Sequence, residues 1–296
     1  RVFAADGTPE GPSIRVNAVE AGGQRDPQAA LIPGAAGVEV LVAWRDDGGA
    51  DGDGAGLRAQ RLELSGAPRP LRFDGFGEGR DERTLTAAGA GAQGEPDLAA
   101  LAPGAALPEG GIAAVWRMTG EGVFARILAP DGTAVTGDLP VGALAGGGQG
   151  DPTAVAETGG GLSVILRDAS LAFGGALARQ RLDASGAEVG PTERLTATDD
   201  FVFRDAPDAA ALPGGGIAVV HRRAEAGAPG DEVVLRVLEG PAPSADPGLA
   251  GVPARVTATE AALAAGPVAL TAGADPAFAD LDGADQGGGR LILARL

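Results

Sequence analysis

The chain of 296 residues has no cysteine, no lysine and no tyrosine, a single histidine, and only 8 Phe and 2 Trp as aromatics. Without cysteine there is no disulfide staple, no thiolate nucleophile and no Cys-based metal site. A domain of this size does not need disulfides, so both cytosolic and exported settings stay open on that ground. Without lysine a Walker-type phosphate loop is excluded, and the run Gly146, Gly147, Gly148, Gly150 reads as a plain loop. No apolar stretch reaches 18 residues, so no membrane-inserted helix is expected. The basic residues, all arginine, number 23 against 40 acidic ones, and the net charge of -17 repels a phosphate backbone. A nucleic-acid partner is thereby excluded. No Gly-x-Ser-x-Gly elbow and no His-Glu-x-x-His pair occurs. The sequence starts at Arg1 without Met and without a signal-peptide pattern, which leads us to expect a part of a larger polypeptide or assembly.

What is abundant is glycine, at 51 residues, and proline, at 22, both costly inside helices and suited to many tight turns. Five apolar strands led by glycine end in arginine: at Arg45, Arg117, Arg167, Arg222 and Arg295. A turn marker recurs at Asp6-Gly7, Ser65-Gly66, Asp131-Gly132, Ser185-Gly186 and Glu239-Gly240, so its glycines are 59, 66, 54 and 54 residues apart. A unit of that length holds four short strands. Strand a follows an acid and a proline, at Asp26, Glu95, Asp151 and Asp275, with Asp205 one residue further from its Pro207. Strand b is the arginine-ended run, apolar on both faces and therefore expected between sheets. Strand c precedes the turn marker, and strand d carries Arg15-Val16-Asn17, Arg83-Thr84-Leu85, Arg194-Leu195-Thr196 or Arg255-Val256-Thr257, with Leu139-Pro140-Val141 in that place in one unit.

These elements predict an all-β fold, a single five-bladed β-propeller of four-stranded blades over residues 1–296. The blades are expected at 20–87, 88–142, 143–197 and 198–258, with 259–296 supplying strands a and b of a fifth blade that 1–19 completes with strands c and d. Such closure removes open sheet edges.

The stretches RVFAADGTPEG, IRVNA, GQRDPQAALIP and VLVAWRDDGGADGDGAGLRAQRLELSG resemble the repeats of large secreted bacterial proteins of the RTX, hemolysin-type calcium-binding group. The resemblance implies a surface or secreted protein with no chemistry of its own in the repeat, a type I export route and calcium. The Gly-Gly-x-Gly-x-Asp nonapeptides of that group are missing here.

Three sets of residues invite a functional reading. Guanidinium and carboxylate match bidentately, so Arg45, Arg117, Arg167, Arg222 and Arg295 are expected to latch onto Asp26, Glu95, Asp151, Asp205 and Asp275. The loop bearing Asp46, Asp47, Asp51 and Asp53, and that bearing Asp280, Asp282 and Asp285, could fold carboxylates around Ca²⁺, although neither fits an EF-hand. His221 shares a slot with Trp44, Trp116, Leu166 and Ala294, which points to packing. The function expected from the sequence is a non-enzymatic structural or adhesion-type propeller module, extracellular or at the cell surface, with a protein or glycan partner. No catalytic residue is assigned and no cofactor other than calcium. Two alternatives stand beside it: a glycoside hydrolase working with two or three carboxylates from different blades, and a lectin-like sugar binder. The poverty in aromatics weighs against the lectin, and repetition of the acids by blade weighs against the hydrolase.

Overall fold

The computed structural model describes residues 1–4, 6–13, 15–17, 22–34, 37–48, 54–63, 83–86, 91–142, 148–158, 160–169, 175–196, 200–202, 207–212, 215–225, 231–238 and 255–256. Every regular element among them is a strand. Residues group into two compact units, Arg1–Leu166 with Arg179–Glu193, and Arg167–Ala178 with Arg194–Leu296.

A short hairpin, β1 (Val2–Phe3) and β2 (Pro9–Glu10), comes first. It is followed by β3 (Gln24–Gly34), β4 (Gly37–Asp46), β5 (Gly56–Glu63) and β6 (Arg83–Thr84), joined in that order as one antiparallel sheet. The strands β7 (Gln93–Leu101), β8 (Gly111–Met118), β9 (Gly122–Leu128) and β10 (Leu139–Pro140) repeat the pattern, as do β11 (Gln149–Ala156), β12 (Leu162–Asp168), β13 (Ala176–Leu182) and β14 (Glu193–Arg194). In the fourth sheet the first strand is in two pieces, β15 (Asp200–Val202) and β16 (Asp208–Ala211), which pair with opposite ends of β17 (Ile217–Glu225); β18 (Asp231–Leu238) and β19 (Arg255–Val256) complete it. These are the four-stranded units expected from the repeat.

In the second and third sheets strand b is dry on both faces, as its apolar run requires: Ile112, Ala113, Ala114, Val115 and Trp116 are fully buried, and all of β12 is buried; in β4, by contrast, Val38 is exposed and Val40 and Val42 are half-buried. In the first unit of the chain, alanines such as Ala43 and Ala59 interleave with Leu41, Leu57, Ile112 and Trp116 to form one core between the first and second sheets. Small residues let the sheets approach, and each buried Leu or Ile contributes about 1.5–3 kcal/mol. Trp116 stacks on Phe124 with ring centroids 6.2 Å apart, and His221 is buried in its strand. The first strands β3, β7 and β11 lie side by side, the arrangement of successive propeller blades.

The turn marker is a tight hairpin wherever it is described. Gly7, Gly132 and Gly186 take φ of 83°, 86° and 85°, each donating its N–H to the carbonyl three residues earlier. Ser65-Gly66 and Glu239-Gly240 lie outside the described residues. One expectation is corrected: Arg15-Val16-Asn17 belongs to no strand. Val2 and Phe3, the strand before the turn, pair instead with Glu10 and Pro9 just beyond it. The proposed closing segment 259–296 lies outside the described residues.

The hairpin glycines differ in what surrounds them. A Cβ on Gly186 would sit 2.4 Å from Leu139 Cδ1, whereas one on Gly7 meets nothing within 4 Å. Both positions carry the left-handed cost of about 1–2 kcal/mol for a non-glycine residue. Gly186→Ala is therefore expected to lower the melting temperature clearly more than Gly7→Ala in thermal denaturation; equal losses would show that the contact with the preceding blade does not matter.

Candidate active site

The start of each first strand is unusual in its backbone. Asp26, Glu95 and Asp151 are the non-glycine residues with positive φ among the described residues, at 53°, 53° and 50°. Each precedes a proline, a position already biased away from helical φ/ψ. In β3 the pairing jumps from Arg25, opposite Arg45, to Gln28, opposite Ala43. In β7 it jumps from Gly94, opposite Arg117, to Asp97, opposite Val115. An acid and a proline thus face one tryptophan of strand b, Trp44 or Trp116, in a β-bulge. Proline suits a bulge because it has no N–H to leave unpaired, and bulges re-aim side chains next to functional sites. A left-handed, non-glycine residue costs about 1–3 kcal/mol and persists only where its surroundings over-determine it.

The surroundings do so through hydrogen bonds between neighbouring first strands. The Glu95 carboxylate accepts from Arg117 Nη1 at 3.0 Å through Oε1 and from the Asp151 backbone N–H at 2.7 Å through Oε2. Two residues on, Asp97 Oδ2 accepts from Thr153 Oγ1 and from the Ala154 N–H, both at 2.8 Å. Ahead of each acid by two positions stands a glutamine: Gln24, Gln93 and Gln149. Gln93 and Gln149 are buried; Gln93 accepts from Thr86 Oγ1, and Gln24 donates to Asp46 Oδ1 at 2.7 Å. The pattern Gln-x-acid-Pro is absent from the other two repeats, around Asp205 and Asp275. Sequence reasoning missed it although the spacing was there to find. Asp26 is exposed and Glu95 and Asp151 are half-buried, so solvent reaches all three acids.

The arginines behave differently from one another. Arg117 pairs with Glu95, but Arg45 donates through Nε to Asp47 Oδ1 at 2.8 Å, and Arg25 bonds the same carboxylate. The reason lies two residues beyond each arginine, where the first blade has Asp47 and the second has Thr119. Arg167 is buried and Arg222 half-buried at the corresponding strand ends. Asp205, Asp275 and Arg295 lie outside the described residues.

The acidic loop candidates for calcium are placed in part. Asp46 is fully buried and accepts from Arg58 Nε at 2.5 Å, from Gln24 and from the Gly48 N–H at 2.8 Å. Burial alone would raise its pKa, but these donors bring it below the ordinary aspartate value. Asp47 is lowered first by the hydrogen bond from Arg45, with Arg25 adding to it. Both carboxylates thus face guanidinium groups. Among the described residues no three His, Asp or Glu side chains gather as a metal site. Asp51, Asp53, Asp280, Asp282 and Asp285 lie outside them.

No protein-family model matches the sequence, and no curated protein matches it either. Solved structures do match. The α-L-arabinanase of Penicillium chrysogenum, solved with arabinobiose, aligns over 80% of this chain and 67% of its own at 14% identity, with a TM-score of 0.52. The GH93 α-L-arabinofuranosidase of Fusarium graminearum, also with arabinobiose, aligns over 79% of this chain and 66% of its own at 12% identity, with a TM-score of 0.50. The chain therefore spans about two thirds of the length of these enzymes. The likeness shows the fold, an all-β, five-bladed propeller of four-stranded blades. It also corrects the sequence reading. These two structures are of glycoside hydrolases, not of RTX calcium-binding repeat proteins, and the assignments to that group, to a non-enzymatic adhesion module and to the class of non-enzymes are corrected accordingly. No helix among the described residues is long and apolar enough to cross a membrane.

At the far end of β11, where the strand turns into β12, Glu157 forms a second carboxylate centre. It holds Arg181 through three hydrogen bonds, Nε to Oε1 at 2.9 Å, Nε to Oε2 at 3.2 Å and Nη2 to Oε2 at 2.6 Å, and accepts from Ser163 Oγ at 2.6 Å. Burial pushes its pKa up, but Arg181 and Ser163 outweigh that and leave it lowered. A lowered folded-state value means the stabilisation is complete above the unfolded glutamate pKa and is lost as pH falls through the folded one. Glu157→Gln should cost about 2 kcal/mol at pH 7. In urea titrations at falling pH the gap to wild type should close below pH about 4; a gap that persists would show that the charge is not what Arg181 requires.

Proposed function

We propose that this chain is a glycoside hydrolase that works with carboxylates carried on the first strands of adjacent blades. The observation that carries the proposal is the set Asp26, Glu95 and Asp151. Each stands in left-handed backbone directly before a proline at the head of its first strand, Asp26 and Glu95 in a β-bulge, on strands that lie side by side. Cleaving a glycosidic bond requires one carboxylic acid to protonate the leaving oxygen and one carboxylate to act on the anomeric side, as base toward water or as nucleophile. Water is added across the bond, its hydroxyl going to the anomeric carbon and a proton to the departing sugar.

Glu95 is assigned the carboxylate that faces the developing oxocarbenium ion, because both of its oxygens accept hydrogen bonds, one of them from Arg117, and these hold it in place. Asp26 and Asp151, one on each side of it in blade order, are assigned proton donation and water activation. Both remain accessible to solvent and hence to substrate. The substrate class supported by the two structural relatives, each solved with arabinobiose, is an α-L-arabinofuranosyl oligosaccharide or polymer. A polymer of that kind lies outside the cell, so an extracellular site of action follows from the same proposal.

The experiment is reducing-sugar release from linear arabinan, together with hydrolysis of an aryl α-L-arabinofuranoside. Wild type should turn both or either over, and Glu95→Gln should lower kcat by about 10²–10⁴-fold with the melting temperature retained. Turnover equal to the buffer blank on arabinan, xylan and galactan panels, or undiminished in Glu95→Gln, would refute the assignment.

A further inference from the structure

We propose that Arg117 is a positioning residue that fixes Glu95 against the backbone of the next blade, and that Gly150 is there to admit it. The inference rests on the hydrolase reading but is separable from it by experiment. Arg117 stands at the end of β8, directly opposite Gly94 in the register and one residue beyond Trp116, the residue that faces the bulge. From there Nη1 reaches Glu95 Oε1 at 3.0 Å. The second oxygen of Glu95 crosses to the third blade and accepts the Asp151 N–H at 2.7 Å. One carboxylate is therefore held by the blade it belongs to and by the blade beside it. Its neighbour Asp151 is tied by the same bond at its own backbone, so the two acids share one frame.

Gly150 lies where the arginine passes. A Cβ built there would come within 3.1 Å of Arg117 Cδ, 3.3 Å of its Nε and 3.3 Å of Glu95 Oε2. These are the atoms of the proposed clamp. Gly150 is not among the glycines with positive φ, so alanine is allowed by its backbone and the only obstacle is contact with Arg117 and Glu95. The same passage is built one blade earlier, where a Cβ on Gly94 would meet Arg45 Nη1 at 2.8 Å. There, however, Arg45 is turned onto Asp47. Glu95 thus receives Arg117 from its own strand pair, and its extra methylene relative to Asp26 supplies the reach. Thr119 leaves Arg117 with no carboxylate at the position that captures Arg45.

Arg117→Ala should lower kcat on the arabinofuranoside about 100-fold, the scale of a catalytic group misplaced by about 1 Å, while KM changes less than about threefold. Arg117→Lys should recover part of the loss. Gly150→Ala should lose about tenfold, and the double variant Arg117→Ala with Glu95→Gln should be no slower than Glu95→Gln alone, since the arginine acts through that carboxylate. A readout independent of turnover is amide hydrogen exchange at Asp151, which should quicken at least about tenfold in Arg117→Ala and Gly150→Ala at constant global stability. Wild-type kcat in Arg117→Ala, or fully additive losses in the double variant, would overturn the positioning role. Should no glycoside be cleaved, the hydrolase reading falls, and Asp151 exchange alone decides the clamp: unchanged protection in both variants overturns it, accelerated exchange upholds it.

Discussion

The acid-proline bulge at the head of the first strand is the constraint from which the site follows. Two residues must be fitted opposite one tryptophan, and the chain does it by placing an acid in left-handed backbone ahead of a residue that has no N–H. The cost is about 1–3 kcal/mol at each such residue. In the second and third blades it is offset by bonds between the two first strands: Glu95 to the Asp151 N–H, and Asp97 to Thr153 and Ala154. Strain and inter-strand tie are thus two sides of one arrangement, and a carboxylate is what both of them deliver to solvent.

The same economy explains why every cation is arginine. A lysine ammonium is a point charge, whereas a guanidinium offers donors in several directions at once. Arg61 pairs with buried Glu39 through Nε at 2.6 Å and donates from Nη1 to the Pro130 carbonyl of the next blade at 3.0 Å. Arg126 reaches Asp138 at 2.6 Å in its own blade and the Leu85 carbonyl of the preceding one at 2.8 Å. Each joins two sheets while neutralising a carboxylate, in a chain with an excess of acids. Packing of alanine against leucine and tryptophan brings these sheets together; the arginines fix their relative setting by geometry that apolar contact lacks.

Periodicity made the strands legible. The arginine-ended runs are β4, β8, β12 and β17, and the turn glycines adopt the backbone their neighbours imply. Individual partners were not legible in the same way. Asp46 and Asp47 counted as acids in an acidic loop, yet the side chains that meet them, Gln24, Arg25 and Arg58, come from strands 12 to 22 residues distant in sequence. A loop read by itself does not contain that information. The RTX likeness failed for a related reason: Asp-Gly turns between short strands serve hairpins of any family, so they carry fold and not kinship. Gln-x-acid-Pro stands in three repeats only, so a pattern defined by what all five share does not contain it.

That preference for what repeats also misdirected the functional reading. An acid in every blade looked like architecture, because catalysis requires a few distinct groups. But glycosidic cleavage requires only two or three carboxylates, and a repeat can supply them as soon as its copies diverge. In the proposed site that divergence is small. Glutamate stands at position 95 where the first blade has Asp26, extending the carboxylate by one methylene; threonine stands at 119 where the first blade has Asp47, and Arg117 binds Glu95; glycine occupies 150, as it does 94, which lets the pair touch the next strand. None of these features disturbs the four-stranded pattern, and together they set the surroundings of Glu95 apart from those at the head of the first blade. Symmetry of the scaffold and asymmetry of the site are therefore compatible, because the bulge sets where each acid stands while the residues around it set what that acid can do.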